Sequence, residues 1–435
     1  DEVQNTSVPE SEPVQEPVQE KDTDSVPPIP RHFRYTTGMD LYPRGDKSKY
    51  QANITAIKLL RQIEADQRQA TSEEQTILAR YCGWGGLANA FSEKSEKWAH
   101  EYQELKSVLT ENEYRAAKES TLTAYYTDPE IIRHIYKAVE SFGFHGGADR
   151  KILDPATGTG NFFSVLPESW WGTKLCGTEI DSITGRIARQ LYPEADIQVK
   201  GFETAAYEDN SFDICIGNIP FNSIKIYDPR YKDKNFFIHD YFIAKSIDLT
   251  KPGGIIAYIT TSGTMDKQDK SVRRYIAERA EFIGAVRLPN TAFRLIAGTE
   301  VTSDIIFLKK RAQPIEFSAE DSLEWINTKL EGKPKWIRYN QYFHIHPEMV
   351  LGEMQPSSNM YGREDGTACI APEDYDLYGE LERAVDRLYA VFEAEPDRPI
   401  TRLTVDETDE MPEYENAPEG TKNMTFVIRD GNIYY

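Results

Sequence analysis

The sequence predicts an α/β protein. Its centre is a doubly wound, mostly parallel seven-stranded sheet, with a helical region before it and a small accessory region after it. Three observations lead there. Seven short β-rich runs lie between Lys151 and Leu308, and amphipathic segments alternate with them. A loop with two glycines directly follows the first run, where such sheets turn from strand to helix. An acid closes the second run, about 20 residues after those glycines.

The expected strands are 151–153, 174–178, 197–200, 212–216, 255–260, 282–287 and 304–308, and the expected helices include 182–191, 236–249 and 270–279. Residues 1–30 repeat Pro-Val-Gln-Glu and end in Pro27-Pro28-Ile29-Pro30, which reads as a disordered acidic linker. Residues 31–120 read as helical: Ile54, Ile57, Leu60 and Ile63 recur at helical spacing. Thr71 with Glu74, or Ser72 with Gln75, fits a capping box, and Gly83-Trp84-Gly85-Gly86 is read as the end of the helix it opens. The sheet domain is expected at 121–312, the accessory region at 313–390 and a second acidic linker at 391–435, whose last stretch alternates like a strand. The chain opens on Asp1, so a fragment of something larger is expected.

The formal net charge of −21 is unevenly spread. Residues 1–30 carry eight acids against Lys21, and residues 391–420 carry ten against Arg398 and Arg402. The middle is only mildly acidic, so the total excludes no nucleic-acid partner. Four scattered cysteines suggest neither a disulfide framework nor a metal site, and a reducing cytoplasm is expected. No apolar run is long enough to cross a bilayer, and none opens the chain as a signal peptide.

Four elements carry chemistry. The first is Asp154-Pro155-Ala156-Thr157-Gly158-Thr159-Gly160-Asn161-Phe162. Its glycines let backbone approach a ligand without Cβ interference. Phe163 replaces the third glycine of the dinucleotide fingerprint, and no Gly-Lys-Ser/Thr follows, so this is not a P-loop. A plain strand-to-helix turn would use the same residues. The second is Glu179, placed to accept ribose hydroxyls; Asp181 competes, but reads better as a helix cap. The third is Asn218-Ile219-Pro220-Phe221, after the fourth strand. The Asn218 side-chain carbonyl and the Ile219 backbone carbonyl could accept the N–H groups of an amine, Pro220 fixes the turn, and Phe221 offers a flat face for an unstacked base. An ordinary strand-ending turn with a core Phe is the bland alternative. The fourth is Tyr125-Tyr126-Thr127-Asp128-Pro129, a helix start whose Thr127 could face a cofactor or simply precede the cap.

In this order the four elements resemble the gamma-type N6-adenine DNA methyltransferases, over about residues 122–311. The resemblance implies a Rossmann-like methyltransferase sheet and S-adenosylmethionine as cofactor. It assigns Tyr126, Thr127, Asp154, Ala156, Gly158, Gly160, Phe162 and Glu179 to that cofactor, and Phe202 and Glu203 to its adenine. It makes Asn218, Ile219, Pro220 and Phe221 the catalytic turn, with Ile219 departing from the family's usual proline. It implies no metal. Tyr81–Leu87, His239–Phe242, Lys251–Gly254, Arg287–Asn290 and Ala297–Glu300 look like methylase modules of large mobile-element proteins, in which a helicase domain follows.

The implied reaction is direct methyl transfer to the N6 amine of a flipped adenine in single- or double-stranded DNA, with no covalent enzyme intermediate. Cys215 sits in an apolar strand and reads as a buried thiol. Lys225, Arg230, Lys232 and Lys234, interleaved with Tyr227 and Tyr231, suit phosphate contact or a solvated loop. Lys267, Lys270, Arg273 and Arg274 read as an exposed helix face, and His239 as a helix cap. The alternatives are a protein-glutamine or RNA methyltransferase, and a weak or inactive DNA-binding, anti-restriction module attached to a helicase. A nicotinamide oxidoreductase is disfavoured by the absent third glycine.

Overall fold

The computed structural model describes residues 32–122, 126–294, 300–316, 323–331, 337–357, 366–388, 427–429 and 432–434. The chain divides into two units, 1–395 and 396–435. In the second, Val427–Arg429 and Asn432–Tyr434 pair antiparallel. The alternating stretch is thus a hairpin, where the sequence reads as one strand.

The first unit holds the sheet: β1 (Lys151–Asp154), β2 (Lys174–Glu179), β3 (Asp196–Val199), β4 (Phe212–Asn218), β5 (Thr250–Thr261), β6 (Ala280–Leu288) and β7 (Ser303–Lys310). Their order is β3-β2-β1-β4-β5-β7-β6, and only β7 runs antiparallel to its neighbours. All seven expected strands are present, most of them longer than their apolar runs. β4 and β5 are covered on both faces, so Ile214–Ile216 and Ile255–Ile259 are uninterrupted apolar runs, fully buried. Chain order reverses beside β1, which pairs with β2 on one side and β4 on the other. In open sheets of this kind the crevice for a ligand lies at such a switch point, here at the carboxyl ends of β1, β2 and β4.

Two helices point their N-termini toward that edge. Pro129–Ser141 starts on Asp128, whose carboxylate accepts the Glu130 N–H at 2.8 Å, and it buries Ile131, Ile132, Ile135 and Val139. Ser182–Leu191 starts on Asp181, which accepts from the Thr184 N–H at 2.8 Å and its hydroxyl at 2.6 Å. Asp181 is therefore a cap. In the N-terminal region, Asp46–Ala65, Ser72–Leu78, Ala99–Val108 and Glu111–Glu119 are helical. Thr71 and Glu74 form the capping box, and Ser72 lies inside the helix. That helix ends at Leu78, so Gly83–Gly86 belongs to a separate loop rather than to its terminus.

Buried cations fasten the accessory region to the sheet. Arg273, expected on an exposed face, is 1% exposed and donates to the carbonyls of Ile326, Thr264 and Lys267. Three backbone carbonyls there take up its fork of donors. Arg287 is fully buried between Asp304 and Asp266, with its guanidinium 4.3 Å from the Phe343 ring centre. Removing one partner of such a group strands the others in low dielectric. Arg287→Ala should therefore destabilise the fold by about 3–5 kcal/mol, read by urea unfolding. A loss under about 1 kcal/mol would mean that water replaces the guanidinium.

Candidate active site

The glycine loop follows β1 at the switch point. Asp154 is 1% exposed; its Oδ1 accepts the Ala156 N–H at 3.1 Å, and among the described residues its Oδ2 meets no hydrogen-bond partner. Gly217 on β4 makes room for it, since a Cβ there would lie 2.5 Å from Asp154 Oδ1. Burial pushes the Asp154 carboxyl up to about 8. Gly158 has φ +58°, and a Cβ there would meet only the Tyr126 ring, at 3.9 Å. Gly160, at φ +88°, differs: a Cβ would strike the Tyr192 ring at 2.2 Å, and its carbonyl accepts the Tyr192 hydroxyl at 2.8 Å. Gly158 thus leaves space at the crevice, whereas Gly160 serves packing.

Glu179, at the end of β2, joins the strand to this loop. Its Oε2 accepts the Gly158 N–H at 2.9 Å and its Oε1 the Asp181 N–H at 2.8 Å. Burial, then the Asp181 charge, raises its carboxyl to about 7. The neighbouring Ile180 is 62% exposed, a large apolar side chain left open beside the acid. Ile180 did not stand out in the sequence, because the exposure of an isoleucine leaves no local signal. The Tyr81–Leu87 motif did, but nothing local to it tells that its loop returns to the acids after β2.

The second half of the site is the end of β4. Asn218 donates its Nδ2 to Thr127 Oγ1 at 3.1 Å. Thr127 is 3% exposed, and its carbonyl accepts from Asn161 Nδ2 at 3.2 Å. Asn161 opens the short helix that follows Gly160. Thr127 therefore bridges the Asn218 turn to the glycine loop. Ile219 is 1% exposed and donates its N–H to the Ile259 carbonyl at 3.1 Å, which ties the turn to β5. Pro220 and Phe221 are half-buried at the rim.

Other expected residues sit deeper. Phe162 is 3% exposed, and its carbonyl accepts the Tyr136 hydroxyl at 2.9 Å. Phe202 is 2% exposed and packs on Phe242, with ring centres 4.9 Å apart. Glu203 stays half-buried near it, folded back over Gly201. Ala156 is half-buried in the loop.

In the basic loop after Phe221, one cation is paired with acids from elsewhere in the fold. Arg230 pairs with both oxygens of Asp209 at 2.8 and 2.7 Å and with Asp248 at 3.2 Å, and Lys225 donates to Asn235. Tyr231 is buried with its hydroxyl 2.5 Å from Asp248. Ile224 and Tyr227 are the exposed large apolar side chains there, at 37% and 44%. His239 is 4% exposed; the N-terminal cap beside it is the carboxylate of Asp240, which accepts the Phe237 N–H at 3.0 Å. Cys215 is fully buried, and burial lifts its thiol to about 12, which suits packing and not nucleophilic attack. Among the described residues no cluster of His, Cys, Asp and Glu is placed to hold a metal, and no helix is long and apolar enough to cross a membrane.

The N-6 DNA Methylase family matches residues 108–342. The chain belongs to that family. It is similar to defense against restriction protein B of Escherichia phage P1, 30% identical over 321 residues, 71% of this chain and 12% of that protein. It is also similar to the uncharacterized protein YtxK of Bacillus subtilis (strain 168), 26% identical over 162 residues, 33% of this chain and 48% of that one. The chain thus spans less than half the length of either relative. A solved type I restriction-modification methyltransferase subunit of Streptococcus thermophilus overlaps with a TM-score of 0.37 at 13% identity, covering 70% of this chain and 74% of that one.

The raised carboxyl of Asp154 carries a stability signature. The folded protein holds a proton up to about 8, while the unfolded chain releases it near 3.8. The contribution of this carboxyl to stability is therefore fully present below about 3.8 and is lost as pH rises through about 8. Asp154→Asn should flatten the decline between pH 5 and 8 by on the order of 3 kcal/mol in urea unfolding. An unchanged slope would show that Asp154 ionises normally in the fold.

Proposed function

We propose that this chain transfers a methyl group from S-adenosylmethionine to the N6 amine of adenine in DNA. The observation that carries the reading is the Thr127 bridge, which sets the Asn218 turn beside the Gly158 loop and Glu179. The crevice suits the cofactor. It offers open space at Gly158, an orphaned buried carboxylate oxygen at Asp154 and a second raised carboxyl at Glu179. Two carboxyls held above their usual range favour a ligand that brings positive charge. Asp154, Gly158 and Glu179 would hold it, Glu179 at the ribose, with the exposed Ile180 beside the base. When bound, S-adenosylmethionine supplies an electrophilic methyl group.

The chain's own residues then position the acceptor. Thr127 takes one N–H of the Asn218 amide, which fixes which end of that amide carries the oxygen. The Asn218 and Ile219 carbonyls accept the N–H groups of the adenine amine. Phe221, half-buried at the rim, offers its face to the extruded base. Arg230 is committed to Asp209 and Asp248, so DNA phosphates are left to other cations. The name of the phage relative favours a second reading, a module that serves defence against restriction, and turnover on DNA separates a methylating module from a silent one.

The test is methyl transfer from labelled S-adenosylmethionine into DNA, RNA and protein pools, with the modified base identified after digestion. Label as N6-methyladenine in DNA supports the reading, and label confined to RNA or protein overturns it. Asn218→Ala should lower transfer about a hundredfold or more while cofactor affinity stays near the parent's. Equal turnover would remove Asn218 from the mechanism. Gly158→Val should abolish cofactor binding by filling the open space, and retained binding would move the cofactor elsewhere.

A further inference from the structure

The N-terminal helical region reaches the same crevice from outside the sheet domain. Its point of entry is the loop after Leu78. Tyr81 is 1% exposed and lies against Thr184, with Asp181 and Glu179 in electrostatic reach. Tyr126, whose ring edge would lie 3.9 Å from a Cβ at Gly158, is in electrostatic reach of Tyr81, Glu179, Cys82 and Asp181. A residue from far upstream therefore comes close to the acids beside the glycine loop.

What holds this loop is Asn53, fully buried in the helix Asp46–Ala65. Its Oδ1 accepts the Cys82 N–H at 2.9 Å, and its Nδ2 donates to the Gly83 carbonyl at 2.5 Å. One side chain thus satisfies the backbone on both sides of a turn that no helix or strand supports. Gly83 there has φ +68°, and the Gly86 N–H donates to the Thr121 carbonyl at 3.3 Å, just before the Tyr126 segment. The helical region is in turn fastened to the helix that follows Asp181. Arg186 pairs with both oxygens of Glu64 and with Glu113, and Gln75 Nε2 donates to the Gln190 carbonyl at 2.9 Å.

We propose that the N-terminal region completes the cofactor pocket, and that Asn53 is a positioning residue that holds Tyr81 and Cys82 as its outer wall. This rests on the reading that S-adenosylmethionine binds at Gly158 and Glu179. The region then serves cofactor capture, and its loop tightens when the pocket fills.

Hydrogen exchange on the whole chain, with and without S-adenosylhomocysteine, tests both statements apart. The expected result is slower exchange in peptides covering 154–160 and also in those covering 79–87. Protection of neither would remove the cofactor reading and this inference with it. Protection of 154–160 alone would overturn the wall while sparing the cofactor site. As a second measurement, Asn53→Ala should raise the KM for S-adenosylmethionine about tenfold, with kcat and the KM for DNA within about twofold of the parent. A merely structural role would move all three together or none, and either result refutes positioning. If Asn53→Ala fails to fold, the exchange result on the parent decides.

Discussion

The amide of Asn218 reaches across the crevice to the Thr127 hydroxyl, and the Thr127 carbonyl reaches on to Asn161 at the head of the glycine-loop helix. Three segments far apart in the chain meet through one buried threonine. Each of them is anchored separately: Asn218 by the β4–β5 ladder, Asn161 by the turn after β1, and Thr127 by the capped helix behind it. Because the Asn218 turn and the glycine loop both leave neighbouring strands of one sheet, the distance between them follows from the sheet.

The electrostatics of the crevice follow from the same architecture. Asp154 and Glu179 lie at the ends of adjacent parallel strands, held by backbone N–H groups. Those donors hold the carboxyls in place but do not offset the burial, so both acids stay above their usual range. Elsewhere the fold does neutralise buried charge, as at Arg287 with Asp304 and Asp266. The contrast separates structural ion pairs, closed on themselves, from two acids whose burial is not offset.

The helical and accessory regions are fastened by the same kind of contact. Arg186 joins the sheet domain to the N-terminal helices, while Arg273 and Asn340 bind the accessory region to the turn after β5. Asn340 is fully buried and donates to the carbonyls of Met265 and Trp325. These polar side chains satisfy irregular backbone that would otherwise be buried without partners.

The sheet was legible in the sequence because strands buried on both faces must be apolar without interruption, as Ile214–Ile216 and Ile255–Ile259 are. The caps at Asp128 and Asp181 and the capping box at Thr71 were legible too, since each is a contact between near neighbours. What the residues alone left undecided were the long-range partners. Arg273 and Arg230 look like surface cations until the fold brings them to carbonyls and to Asp209. Gly158 and Gly160 look equivalent until Tyr192 closes on one of them. Thr127 reads as a cofactor contact or a bystander before its cap until β4 delivers Asn218 to it. Local periodicity and capping are written within a few residues of chain. The site depends on groups that meet only after the sheet has closed the distance between them.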